Sequence, residues 1–373
     1  MERFLVASST AREWQAAVDE CLERWGKQAF TQKLGFIYTT DAHSENLGAI
    51  VSRLQAKSGV PHWVGTTGLG ILCADQEHYD VPAISIMICR FPEDAFRVFS
   101  AIHGGFEEFD KANRSWLENN FGNFAIVHAD PTNPKLQELI PAFSEKLNGG
   151  YLVGGLTSSQ SGNVQIADRA TSGGLSGVVF SDKVPVVTGL SQGCSPLGPA
   201  HTITQAQRNI VITIDNRPAV DVFTEDIGEL LAKDLSRVAG YVFVGFPVVG
   251  SDTGDYVVRN LVGIDPQNKV LAVGELLGTG DPIMFCRRDS ETAREDLVRM
   301  VRDVKQRTAG AEPKGAVYYS CLGRGRYTFG ENSEEIRTIQ HELGDVPLVG
   351  FFANGEVSHN RLYGYTGVLT LFV

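Results

Sequence analysis

Two residues of opposite charge stand in glycine-rich motifs near the end of the chain: Arg324 in "CLGRGRYTFG" (321–330) and Glu356 in "VGFFANGE" (349–356). A guanidinium on exposed glycine backbone suits a carboxylate or phosphate ligand. A salt bridge to Glu331, Glu334 or Glu335 would occupy it equally well, and both readings stand. Cys321 ends an apolar run beside Arg324 and Arg326, where nearby cations could lower a thiol pKa, although a structural thiol is the plainer role. The runs 315–321 and 346–350 read as strands joined by a helical crossover, hence parallel, with carboxyl ends pointing the same way. Arg324 and Glu356 are therefore expected within a side chain's reach, placed to take a zwitterion or else to pair with each other.

Glu356 belongs to a pattern that occurs three times. "VGTTG" (64–68), "VGGLTSS" (153–159) and "VGFFANGE" each follow a helical stretch and a short apolar run. Val64 and Val153 each lie 28 residues after the start of "FIYTTD" (Phe36) and "AIVHAD" (Ala125), and Val349 lies 33 after Ala316. The three are read as turns at sheet edges. In layered α/β proteins ligands bind at strand carboxyl ends, where glycine admits backbone groups. Thr66, Thr67, Thr157, Ser158, Asn354 and Glu356 are the side chains expected at a shared pocket, with Gly155, Gly325 and Gly355 as its close backbone and Cys321 and Arg324 at its wall.

Other motifs are weaker. "GLSQG" (189–193) has the G-x-S-x-G spacing of a hydrolase elbow around Ser191, but "CSPLGPAHTITQAQ" follows where a helix is required. Gly323-x-Gly325 lacks the third glycine of a dinucleotide fingerprint. The eight histidines show no paired metal spacing, so no dedicated zinc site is expected, although one histidine suffices for haem iron.

The elements that must position these residues follow from periodicity. Strands are expected at 4–8, 35–40, 62–65, 83–91, 124–130, 174–181, 184–191, 315–321 and 367–373. Thr10 and Glu13 have capping-box spacing before a helix carrying Trp14, Ala17, Val18, Cys21, Leu22 and Trp25. Leu47–Leu54, Leu136–Leu147, Leu297–Val304 and Ile336–Leu343 mark further helices. Residues 209–288 read as strand, turn and helix, then hairpin strands with "DPQN" (265–268) as a turn. The fold class is α/β (mixed α+β): repeated strand–helix–strand modules, with mixed parallel and antiparallel sheets covered by helices. The boundary is placed near Asn216-Arg217-Pro218, giving domains 1–217 and 218–373.

The chain has 373 residues, 43% hydrophobic and 21% charged, with 40 glycines. A net charge of −11 speaks against a nucleic-acid partner, which needs a basic surface. No run of 18 apolar residues and no secretion signal are read, and the six cysteines lack CxxC spacing. A cytoplasmic protein with reduced thiols is expected.

The succession "VGGLTSSQ", "GLSGVVFS", "GLSQGCSPLGP", "ITIDNRPAVDVF", and then "AVYYSCLGRGRYTFG" and "VPLVGFFANGEVSHNRLYGYTGVLTLF", resembles the two halves of FIST proteins. Cys321, Gly323, Arg324, Gly325, Gly350, Phe351, Gly355, Glu356, Gly364, Tyr365 and Thr366 fall on that family's C-terminal motif positions. Where the family commonly has Gly-Cys-Ser/Thr-x-x-Gly, this chain has Gly65-Thr66-Thr67-Gly68. The resemblance implies a small-ligand sensory domain in signal transduction, with amino acids proposed as ligands, and no cofactor is expected. Its partner would be a separate signalling protein such as a histidine kinase. A haem-based nitric-oxide sensor is the alternative within binding proteins, and a cysteine or serine hydrolase the alternative outside them.

Overall fold

A computed structural model describes residues 3–26, 33–120, 122–147, 149–232, 238, 241–248 and 256–373. Two compact units make up the chain, one of residues 1–192 with 294–373, the other of 193–293.

In the larger unit one succession of elements occurs three times. The first copy is β1 (Leu5–Ser9), α1 (Trp14–Glu23), β2 (Leu34–Thr40), α2 (Leu47–Ser58), β3 (His62–Gly68), the hairpin β4 (Gly70–Cys73) and β5 (Gln76–Tyr79), and β6 (Ile84–Cys89). The second is β7 (Phe96–Ile102), α3 (Glu107–Asn119), β8 (Gly122–Ala129), α4 (Leu136–Lys146), β9 (Tyr151–Leu156), the hairpin β10 (Gln165–Ala167) and β11 (Arg169–Thr171), and β12 (Leu175–Ser181). The third begins with β13 (Val186–Gln192) and is interrupted by the smaller unit.

The smaller unit holds β14 (Cys194–Pro196), β15 (His201–Gln207), β16 (Ile210–Ile214), β17 (Arg217–Pro218), α5 (Ala219–Ala232, broken at Gly228), β18 (Val242–Pro247), β19 (Tyr256–Asp265), β20 (Val270–Val273) and β21 (Pro282–Arg288). Strands β21, β15, β16, β20, β19 and β18 pair in that order, and β18 returns to β21, forming a partial barrel around Val211, Phe223, Leu271 and Phe285. The third copy resumes with α6 (Ser290–Arg307), β22 (Gly315–Cys321), α7 (Glu334–Leu343), β23 (Leu348–Ala353), the hairpin β24 (Glu356–His359) and β25 (Arg361–Tyr363), and β26 (Thr366–Phe372).

The pairing repeats as well. Parallel pairs β2–β3, β8–β9 and β22–β23 are each flanked by an antiparallel return strand, β6, β12 or β26. Each hairpin leaves its own sheet and pairs with the parallel strand of another: β10 with β3, β24 with β9, β4 with β23. The three six-stranded sheets are therefore laced together cyclically. Their inner faces share one apolar cluster, including Phe36, Val64, Ile126, Val153, Val317 and Val349. Outer faces carry the helices: α1 and α2 over Ile37, Ile84 and Ile86; α3 and α4 over Val127 and Val179; and α6 with Met300 and Val304 against Gly189.

The structure answers the repeated Val-Gly motif differently from the sequence. These residues are not turns at sheet edges. They lie in interior strands β3, β9 and β23, each with a neighbour on both sides. A Cβ on Gly65 would stand 1.7 Å from the carbonyl oxygen of Ile37, on Gly154 1.8 Å from that of Val127, and on Gly350 1.7 Å from that of Tyr318. Those carbonyls belong to the residues that each glycine faces on the parallel neighbour. The motif is thus a close-approach position between paired backbones, met three times. Register also corrects the alignment of the copies: Val64 faces Phe36, whereas Val153 faces Ile126 rather than Ala125.

Smaller differences have local causes. Helix α1 starts at Trp14 after Glu13, and Ser9 Oγ accepts from the Ala11 amide, so Thr10 is not its cap. Helix α3 and the three hairpins were not read from the sequence, although Phe109, Ala112 and Trp116 carry helical spacing.

Substituting Gly350→Ala or Gly65→Ala forces a methyl into a carbonyl and should destabilise the chain by about 3 kcal/mol or more in urea titration. Gly59→Ala, at the left-handed C-cap of α2 (φ 70°) with open space around it, should cost only about 1–2 kcal/mol.

Candidate functional site

Side chains alternate along a strand, so register places one row of each sheet at the same level of the inner face. The first sheet contributes Ser85, Tyr38, Thr66 and Gln165. The second contributes Ser176, His128, Gly155 and Glu356. The third contributes Val368, Tyr319, Phe351 and Ile71. At the centre Tyr38 Oη lies 2.8 Å from Tyr319 Oη and 3.2 Å from His128 Nε2, all three fully buried. Burial drives His128 down to about 3, so it is neutral, and among the described residues its Nδ1 has no partner. Phe351 stacks on Tyr38 at 5.3 Å and meets the Tyr319 ring edge-on at 5.6 Å.

Gln165 and Glu356 occupy equivalent places with different outcomes. Gln165 donates from Nε2 to the Gly174 carbonyl (3.1 Å), and its Oε1 accepts from Ser176 Oγ (2.9 Å). Glu356 reaches the counterpart of Gly174, accepting at Oε2 from the Thr366 amide (3.1 Å) and Thr366 Oγ1 (2.8 Å). The counterpart of Ser176 is Val368, which offers nothing, and among the described residues Glu356 Oε1 is buried without a hydrogen-bond partner. Burial raises the Glu356 acid to about 8, against the pull of Thr366. Cys321 lies beside it, its thiol pushed up by burial and by the Glu356 charge, not lowered as flanking arginines suggested.

Arg324 does not meet Glu356. Tyr318 and Ser320 point to the outer face of β22, Tyr319 and Cys321 to the inner one, and Arg324 joins the outer pair. Its Nε donates to Glu335 Oε1 at 2.8 Å, both residues fully buried, and its guanidinium lies 4.9 Å from the Phe329 ring centre. Glu335 also accepts from Tyr318 Oη (2.6 Å), Ser320 Oγ (2.9 Å) and the Gly325 amide (2.7 Å). Burial opposes the Arg324 charge, but Glu335 overcomes it and holds the guanidinium above its usual pKa. Of the two sequence readings the salt bridge is the one found, although among the described residues Arg324 Nη1 keeps no partner.

The three glycine motifs do come together through their polar residues. Thr66 Oγ1 and Thr157 Oγ1 are 2.6 Å apart. Ser158 Oγ donates to the Phe352 carbonyl and accepts from the Leu69 amide, and the Asn354 amide donates to the Leu156 carbonyl. Thr67 is buried with Oγ1 unpartnered; Cys321 is partly exposed and Asn354 exposed, while the Gly355 carbonyl accepts from the Leu156 amide. Arg324 and Gly325 stand apart with Glu335. Sequence reasoning missed Tyr38, His128, Tyr319 and Gln165, and named Glu335 only as one of three acids that could pair with Arg324. The signal for the first three was their identical place, one residue beyond the carbonyl that faces the repeated glycine. Ser191 lies within β13, followed by a strand and not by the helix of a nucleophile elbow.

The fold and its inner layer define a mixed α/β protein of three laced repeats with a polar level inside its apolar core. The chain belongs to the FIST family, whose FIST N domain matches residues 33–217 and whose FIST C domain matches residues 219–359. FIST domains are associated with sensing in signal transduction. Similar chains include an uncharacterized protein of Mycobacterium tuberculosis, 26% identical over 387 aligned residues with 100% of both chains covered. Another is an uncharacterized protein of Mycobacterium bovis, 28% identical over 363 residues, covering 91% of this chain and 90% of the relative.

Two predictions test this account. Arg324→Ala leaves Glu335 buried and unpaired and should cost about 3–5 kcal/mol of stability. A loss below about 1 kcal/mol in denaturant titration would show the pair to be dispensable. The folded state keeps a proton on Glu356 that the unfolded chain releases, since its pKa rises from 4.5 to about 8. Its contribution to stability therefore falls as pH climbs between those values and is flat above. Glu77, raised to about 7 by burial and by Glu335, acts in the same direction in any variant. Glu356→Gln should thus flatten the decline relative to the parent, and identical pH profiles would contradict the shift.

Proposed function

We propose that the protein is a cytoplasmic sensory module that binds a small polar molecule, an amino acid among the candidates. It passes the signal to a separate partner such as a histidine kinase, without catalysis, haem, nucleic acid or membrane. One observation carries the reading: Glu356 keeps a fully buried acid with an unmet oxygen, where its counterpart Gln165 satisfies the fold with an amide. Perturbed acids with unfilled hydrogen-bonding capacity concentrate at functional sites. The raised Cys321 thiol and the strand setting of Ser191 favour binding over nucleophilic chemistry. Among the described residues no helix is long and apolar enough to cross a membrane.

The test is a thermal-denaturation screen of amino acids and small organic acids. A ligand present at 100 times its Kd adds about 2.7 kcal/mol, a rise of roughly 3–4 °C in Tm for a chain of 373 residues. A screen in which nothing shifts Tm overturns the reading. A Soret band in protein made with haem available would favour the gas-sensor alternative instead.

A further inference from the structure

We infer that the ground between His128 and Glu356, over Gly155, is a binding site for a small molecule with oxygen acceptors, a carboxylate or a carbonyl, and that Phe351 yields to admit it. This rests on the sensory reading above and names the ligand chemistry.

The first argument is a count of donors. The central chain has three donors, Tyr319 O–H, Tyr38 O–H and one ring N–H of His128, but only two contacts, at 2.8 and 3.2 Å. If Tyr319 donates to Tyr38 and Tyr38 to His128 Nε2, every contact is used and a single group, Nδ1–H, is unmet. The opposite direction leaves two unmet groups, Tyr319 O–H and the Nδ1 lone pair. The first arrangement is preferred, so Nδ1 carries an unused proton. Glu356 gives the same result: Oε2 accepts both Thr366 groups, which places the proton of the neutral acid on unpartnered Oε1. Two fully buried donors therefore lack acceptors, a condition that native interiors rarely leave unmet.

The second argument is their placement. His128, Gly155 and Glu356 are consecutive across β8, β9 and β24 on one face. Neighbouring strands lie about 4.8 Å apart, so the outer two backbones are roughly 10 Å apart, and a molecule of a few heavy atoms spans what their side chains leave. The strand crossing needs only Gly154. Gly155 is a second glycine, where the other two rows carry Thr66 and Phe351. A Cβ on Gly155 would meet Ala353 Cβ at 2.6 Å and Phe351 Cζ at 3.3 Å. The Ala353 methyl and the Phe351 ring edge thus stand over Gly155, the ring with its centre 6.0 Å from that of His128. Phe351 packs against the rings of Tyr38, His128 and Tyr319 within the shared apolar cluster, and the strand ends above include exposed Asn354 and partly exposed Cys321.

The experiment titrates the full chain, with histidine labelled in 15N, with acetate and separately with acetamide at tens of millimolar. Expected are a saturable movement of the His128 Nδ1–H resonance, at least tenfold weaker binding in Glu356→Leu, and at least tenfold tighter binding in Phe351→Ala. Phe351→Leu serves if the alanine variant does not fold. Acetate alone would mark an anion site, acetamide alone a neutral carbonyl site, and either supports the proposal. It is overturned if neither probe moves the resonance in the parent or the Phe351 variant, if Glu356→Leu binds as the parent does, or if the resonance reports a trapped water that neither probe displaces. A ligand still found by thermal screening in those cases leaves the sensory reading intact and removes only this site.

Discussion

Three pairs of parallel strands approach so closely at Gly65, Gly154 and Gly350 that no side chain fits between them. Much else follows from that steric limit. Close pairing fixes the register of β2–β3, β8–β9 and β22–β23, and a one-residue slip would turn each inner face outward. With register fixed, Tyr38, His128 and Tyr319 arrive at one level and touch. The lacing of β10, β24 and β4 onto neighbouring sheets then depends on the same strands, because each hairpin pairs with the one that carries the glycine.

The repeats share a plan, but their polar contents have diverged. At equivalent places stand an amide, an acid and an aliphatic chain: Gln165, Glu356 and Ile71. The amide has a partner at both its nitrogen and its oxygen and the aliphatic chain needs none, so of the three only the acid carries an unsettled demand. The change of one return-strand neighbour, from Ser176 to Val368, removes the hydroxyl that would have met it. Repetition thus supplies an internal control: what the fold requires recurs, and what exceeds that requirement does not.

Charge is sorted by the same geometry. The third sheet keeps the Arg324–Glu335 pair on its helix-covered face and Cys321 on its inner face, beside Glu356 of the second sheet. A buried ion pair is costly to desolvate and tolerable only when its hydrogen bonds are filled. Tyr318, Ser320 and the Gly325 amide fill those of Glu335, so the glycine-rich loop at Arg324 is braced from within.

By itself the sequence determined the local elements and their order. Apolar periodicity marked most strands and helices, the crossover rule made the repeated pairs parallel, and the recurring Val-Gly pointed to three copies. Familiar motif residues also singled out Glu356. Only the tertiary structure decided that Val-Gly is a strand crossing and not a turn, because the clash that demands glycine involves a carbonyl 27 to 32 residues away in sequence. It alone chose Glu335 over Glu356 as the partner of Arg324, since which face of β22 each motif joins depends on loops and not on strand period. His128 was one histidine among eight until packing placed it between two tyrosines, because burial and hydrogen-bond supply belong to neighbours that are distant along the chain.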